Sequence, residues 1–110
     1  MTLTLRELQV EHEPWLRHNF PSVESWEALV GLQEEVGELA HAHLKGFNNI
    51  REMRSEAAII AAKTDAVGDI LIYLVSYCIT NGLDLQQCLE TTWARVKKRD
   101  WRADPDGKTA

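Results

Sequence analysis

The chain has 110 residues, with 17 acidic and 12 basic side chains, 4 histidines and a net charge of −5. That length suits one domain, and a hydrophobic share of 45% with 26% charged residues excludes a disordered or fibrous chain. The acidic balance argues against nucleic acid or an anionic membrane as the main partner, so an anionic ligand would need a cation between itself and the protein. No charged segment followed by an apolar core stands near Met1, and the longest apolar run, residues 70–79, is about half a membrane span. Cys78 and Cys88 have no CxxC spacing and read as buried free thiols. A reduced, cytoplasmic protein is expected.

Helical signals run through the chain, and no Asn-Gly or Asp-Gly turn joins alternating apolar runs, so no strand is expected. The spacing predicts a first helix over residues 3–17, with Leu5, Leu8, Trp15 and Leu16 toward the core, ended by Asn19, Phe20 and Pro21. A second helix starts between Ser22 and Ser25. It carries Trp26, Leu29, Leu32, Val36, Leu39 and Leu44 at helical period, with Gly46 as its C-cap. Residues 47–54 read as a polar connector. The third helix extends from Ser55 to the Asn81-Gly82 stop, and its stretch over residues 70–79 is apolar on nearly every side. Such a helix has to be covered all round, which predicts a subunit interface. The fourth helix opens at Asp84, an N-cap with Gln87 three residues on, and carries Leu85, Cys88, Leu89, Trp93 and Val96. Residues 103–110 read as an irregular tail. The expected architecture is one all-α domain over residues 1–110, a bundle of four to five helices assembled as a homo-oligomer.

The informative feature is where the acids fall. Glu34, Glu35 and Glu38 project from one side of the second helix, and Asp65 and Asp69 repeat the arrangement on the third. Like charges at this spacing cost a few tenths of a kcal/mol when exposed and far more when buried without compensation. If the two helices form an antiparallel hairpin about the 46–54 connector, Glu34 falls opposite Asp69 and Glu38 opposite Asp65. Gly37 and Gly68 lie beside the acids, leaving room for close helix approach or for a ligand. Converging carboxylate oxygens suit a hard cation, Mg²⁺ or Mn²⁺. The competing reading, solvated acids on amphipathic helices, is disfavoured by the matched register.

Glu34-Glu35-x-x-Glu38 followed by Asp65-Ala-Val-Gly-Asp69 resembles the metal motifs of the all-α nucleoside triphosphate pyrophosphohydrolases, the MazG-like superfamily. The resemblance extends to LQEEVGELAHAHLK at residues 32–45, GDILIYL at residues 68–74 and VKKRDW at residues 96–101, and so covers roughly residues 5–105. One position departs: Ala66 stands where the superfamily carries the glutamate of its second motif, and Asp65 is its neighbouring substitute. The resemblance implies Mg²⁺-dependent hydrolysis of a nucleoside triphosphate to the monophosphate and pyrophosphate, by a homodimer or homotetramer that cleanses the nucleotide pool. On that reading Glu34, Glu38, Asp65 and Asp69 are metal ligands. Glu35 is a further ligand or the base that orients the attacking water, and Glu38 shares the catalytic work.

A pyrophosphate product calls for cations beyond the metal, and the cluster of Arg95, Lys97, Lys98, Arg99 and Arg102 supplies them, with Lys97 and Arg99 the first candidates. Basic residues at a helix C-terminus also complement the macrodipole, which is the plainer explanation of the cluster. Lys45 and Arg51 flank the connector as weaker candidates. Trp101 lies past the periodic region and is the candidate for stacking on a nucleobase, whereas Trp26 and Trp93 fit the core. Glu38 and His41 make the ExxH step of di-iron bundles; the chain has no second ExxH, but two-fold symmetry would supply one, so a di-iron helical-bundle protein is a minor alternative. His12, His18 and His43 have no partner spacing that suggests a site. The rival from another class is a non-catalytic helical interaction module whose acids face solvent.

Overall fold

The computed structural model describes residues 2–48 and 55–108, the side chains of 46–48 excepted. They form four helices: α1 (Leu5–Asn19), α2 (Ser25–Asn48), α3 (Glu56–Thr80) and α4 (Leu85–Val96), with no strand among the described residues. The all-α reading of the sequence therefore holds.

Local chemistry sets the helix ends. Thr4 caps α1 in a reciprocal box: the Glu7 N–H donates to its hydroxyl at 3.1 Å, and its own N–H donates to the Glu7 carboxylate at 3.2 Å. The first helix thus starts after Thr4, later than the apolar spacing suggests, and it runs past Arg17 to Asn19. Ser55 caps α3 by accepting from the Ala58 N–H, and Asp84 caps α4 by accepting from the Gln87 N–H, both at 3.1 Å. Between those helices Gly82, at φ 66°, takes the left-handed turn that only glycine adopts freely. Gly46 does not end α2, which continues to Asn48. An interior glycine costs about 1 kcal/mol, too little to stop a helix that packing holds in place. The expected connector falls largely on residues 49–54, outside the described residues.

The pairing of α2 with α3 is the most extensive contact in the molecule, and α1 packs on α3 and α4. At Gly31 the Tyr73 ring of α3 lies where a Cβ on α2 would stand. A Cβ at Gly37 or Gly68 would meet open space, so those glycines are not needed for helix approach. The core gathers around the C-terminal part of α3, where Val75, Cys78 and Ile79 pack with Leu16 and Leu85, flanked by Leu5, Leu8, Val23 and Leu74. Gln9 ties α1 to the α3–α4 turn, donating to the Leu83 carbonyl at 2.7 Å and accepting from the Leu85 N–H at 2.9 Å.

This core is small for the apolar content. Trp26 is 60% exposed and Trp93 57%, and Leu29, Val36, Leu44 and Leu89 are exposed with them. Trp15, expected in the core, is 51% exposed. Within residues 70–79 one chain buries Val75, Ser76, Cys78 and Ile79 but leaves Leu71, Ile72 and Tyr73 exposed. Cys78 is buried and Cys88 half-buried, both free. No described helix is long and apolar enough to cross a membrane.

Candidate functional site

Two cavities lie along the α2–α3 seam, and the acids are divided between them. The first, about 510 Å³, is lined by Trp15, Leu16, Phe20, Val23, Glu27, Ala28, Glu35, Asp69, Ile72, Tyr73 and Ser76. The second, about 600 Å³, is lined by Glu34, Gly37, Glu38, His41, Ala42, Ala62, Asp65 and Ala66. Glu38 thus meets Asp65, as the antiparallel register predicts. Asp69 shares its cavity with Glu35 rather than with Glu34, a shift of one residue from the expected pairing. The cause is helical geometry: Glu34 and Glu38, four apart, share one side of α2 and stay exposed, while Glu35, about 100° around the helix from Glu34, is the half-buried one and lines the other cavity.

Glu35 is the strained member of the set. Its Oε2 is buried and has no hydrogen-bond partner among the described residues. Its carboxyl is pushed above the ordinary 4.5, first by desolvation, then by the negative charges of Glu38 and Asp69, by a side-chain hydrogen bond with Glu38, and by the charge of Asp65. A carboxylate oxygen removed from water and facing three like charges is satisfied in one of two ways, by a proton or by a cation.

As the side chains stand, no three His, Cys, Asp or Glu groups among the described residues are close enough to hold a metal ion together. The donor set nevertheless suits a hard divalent cation: five carboxylates on two adjoining helices, one oxygen of which is buried and unpartnered. Ala66 is buried and presents only a methyl group to the second cavity, while Asp65 beside it is exposed. His41 lines the second cavity with Glu38, whereas His43 is exposed and lines neither.

The basic and aromatic candidates near the C-terminus stand elsewhere. Lys97 is the C-cap of α4. The Arg99 guanidinium lies 5.4 Å from the centre of the Trp101 ring, and that ring also packs on Gly107. Lys97, Arg99 and Trp101 line neither cavity.

The first cavity has aromatic walls that sequence reasoning missed. Trp15 and Phe20 meet edge to face at 6.0 Å and 66°, and Tyr73 lies over Gly31 on the seam. Helical spacing put Trp15 in the core because period alone does not separate a core position from a cavity wall. The available signals were the tyrosine within an otherwise apolar run and the glycine it covers. Behind this wall His12 stacks on Trp15 at 5.2 Å, and its Nε2 lies 2.7 Å from the Ser76 hydroxyl. No family model matches the chain, and no curated protein or solved structure matches it.

Proposed function

We propose that this chain is a divalent-metal-dependent nucleoside triphosphate pyrophosphohydrolase of the MazG-like type, active as a homo-oligomer. The observation that carries the proposal is the Glu35 carboxylate, which has a buried, unpartnered oxygen and a carboxyl pushed up by desolvation and by the negative charges of Glu38, Asp69 and Asp65. Acids arranged in this way destabilise a fold unless something positive joins them, so a function that supplies the cation explains why they are there. The motif resemblance and the adjoining aromatic cavity point to the same chemistry.

Glu34, Glu38, Asp65 and Asp69 would hold Mg²⁺ or Mn²⁺, with Glu35 as a further ligand or as the base. The bound cation would offset the charge of the phosphates, orient them and lower the pKa of a water molecule. Glu35, whose raised carboxyl has a stronger hold on a proton than an ordinary glutamate, is suited to accept one from the attacking water. Trp15, Phe20 and Tyr73 offer flat apolar surface on which a base can stack, in the same cavity as Glu35 and Asp69. This moves the nucleobase role from Trp101 to those three residues. Within one chain Lys97 and Arg99 line neither cavity, so a phosphate-binding role for them would run through a second copy. A second copy would also cover Trp26, Leu29, Val36 and Trp93.

Those exposed apolar side chains favour a second reading, a non-catalytic module that binds another helical protein. A panel of ribo- and deoxynucleoside triphosphates with Mg²⁺ or Mn²⁺ separates the two. Release of pyrophosphate from at least one nucleotide is the expected result, and no turnover of any would leave the interaction module standing.

A further inference from the structure

The aromatic cavity is charged in one sense only. Every charged side chain that lines it is a carboxylate, Glu27, Glu35 or Asp69, and no described lysine, arginine or histidine joins them. Its rings come from Trp15, Phe20 and Tyr73. The face of an aromatic ring carries negative potential, so rings and carboxylates favour the same guest, an organic cation.

These groups are spread along α2. The Tyr73 ring lies over Gly31, four residues after Glu27 and four before Glu35, so the two acids leave the helix about 12 Å apart along its axis with the ring between them. Asp69, one turn before Tyr73 on the antiparallel α3, falls at the Glu35 end. Glu35 and Asp69 belong to the metal set proposed above, which assigns that end to the phosphates. Glu27 does not belong to it. It stands in the first turn of α2, where its carboxylate accepts from the Glu24 N–H at 3.3 Å and no described lysine or arginine pairs with it. A divalent ion on Glu35 and Asp69 leaves this charge, and the rings, at the end where the base would lie.

We infer that this cavity takes nucleotides whose base carries a positive charge, as ring-alkylated adenine and cytosine do, in preference to nucleotides with a neutral base. The inference rests on the pyrophosphohydrolase reading above and names the substrate class within it. Methylation at a pairing-edge ring nitrogen makes these bases hold a proton at neutral pH. The product is a flat cation that stacks on an aromatic ring and is attracted to Glu27 at the same time.

The test uses pairs of methylated nucleosides that differ in the position of one methyl group and in charge: 1-methyladenosine against N⁶-methyladenosine, and 3-methylcytidine against 5-methylcytidine. The first of each pair is the cation. Titration calorimetry without metal should find the cation of at least one pair bound about tenfold more tightly than its neutral isomer, the order gained by a cation against a ring beside a carboxylate. Glu27→Gln keeps the shape of the side chain and an acceptor for the Glu24 N–H, and should lower that ratio by about threefold or more. Asp106→Asn removes the same charge from the exposed tail, away from the cavity, and should leave the ratio unchanged. Equal affinities in both pairs, tighter binding of the neutral isomers, no binding of any of the four, or an equal loss in the two variants would overturn the inference. The wild-type ratios need no variant to fold. Binding needs no turnover, so the two readings fail separately. Pyrophosphate released from common triphosphates without a cation preference in binding would remove the inference and keep the pyrophosphohydrolase. A cation preference in a protein that turns over no nucleotide would keep the preference of the cavity and remove the pyrophosphohydrolase.

Discussion

Replacing Gly31 with alanine probes the contact of α2 with the Tyr73 ring of α3, and Gly37→Ala on the same helix supplies the reference. Both substitutions remove a glycine from a helix interior and gain about 1 kcal/mol of helix propensity. At Gly37 the added Cβ meets open space, so the gain is kept. At Gly31 it runs into the Tyr73 ring, whose Cζ lies 2.7 Å from the Cβ position. Overpacking of this kind costs about 1–3 kcal/mol, and because the propensity gain is common to both variants, that is also the expected difference between them. Thermal unfolding resolves such a difference, at about 4–8 °C per kcal/mol for a small domain. Gly37→Ala should unfold above the wild type and Gly31→Ala below Gly37→Ala by at least about 4 °C. Since Tyr73 also walls the aromatic cavity, Gly31→Ala should weaken nucleotide binding as well. Coincident unfolding curves for the two variants would refute the reasoning.

Further outcomes follow from the same geometry. Trp15→Ala should raise the KM for the preferred nucleotide by about fivefold or more, the worth of stacking one base, while Trp101→Ala, on the tail, leaves it within about twofold; the reverse order in steady-state kinetics would return the base to Trp101. Asp84→Ala removes the cap of α4 and should cost about 1 kcal/mol in urea unfolding; no loss would show that the Gln87 N–H finds another partner. Burial holds the His12 imidazole below its ordinary 6.5, so as pH falls the unfolded chain takes up that proton first. The stability tied to neutral His12 is therefore present above pH 6.5 and lost below it, and between pH 7 and pH 5 the wild type should lose more thermal stability than His12→Gln; equal losses would contradict this. Light scattering at micromolar concentration should find a dimer or larger, since one chain leaves Trp26, Leu29 and Trp93 exposed; a stable monomer would contradict the assembly.

Much of the fold was legible because it is written in local chemistry. Ser55, Asn81, Gly82 and Asp84 mark helix ends through caps and a left-handed turn that depend on few neighbours. The antiparallel register was legible to within one residue because a short connector joins two long amphipathic helices and leaves few ways to align them. Gly46 misled, since the residue type that stops a helix is also tolerated inside one. The site was half legible. Like charges repeated at helical spacing on two helices are a pattern that stability alone does not favour, and the structure brings Glu35 together with Asp69, and Glu38 with Asp65. Which acid turns inward was not legible, because Glu34 and Glu35 differ by one residue and about 100° around the helix. The aromatic cavity was hidden for another reason: Trp15, Phe20 and Tyr73 come from α1, the loop after it and α3, and only packing assembles them. The Ser76–His12 pair spans α3 and α1 and leaves no sequence signature at all.

The central claim is that the acids of α2 and α3 serve the release of pyrophosphate from a nucleoside triphosphate. Its most direct test resolves the products of the wild-type protein and of Glu38→Ala by anion-exchange chromatography, with and without Mg²⁺. The account predicts nucleoside monophosphate and pyrophosphate in equal amounts from the wild type with Mg²⁺, and neither product without Mg²⁺ or from Glu38→Ala. Nucleoside diphosphate with free phosphate, or full activity in Glu38→Ala, would contradict it.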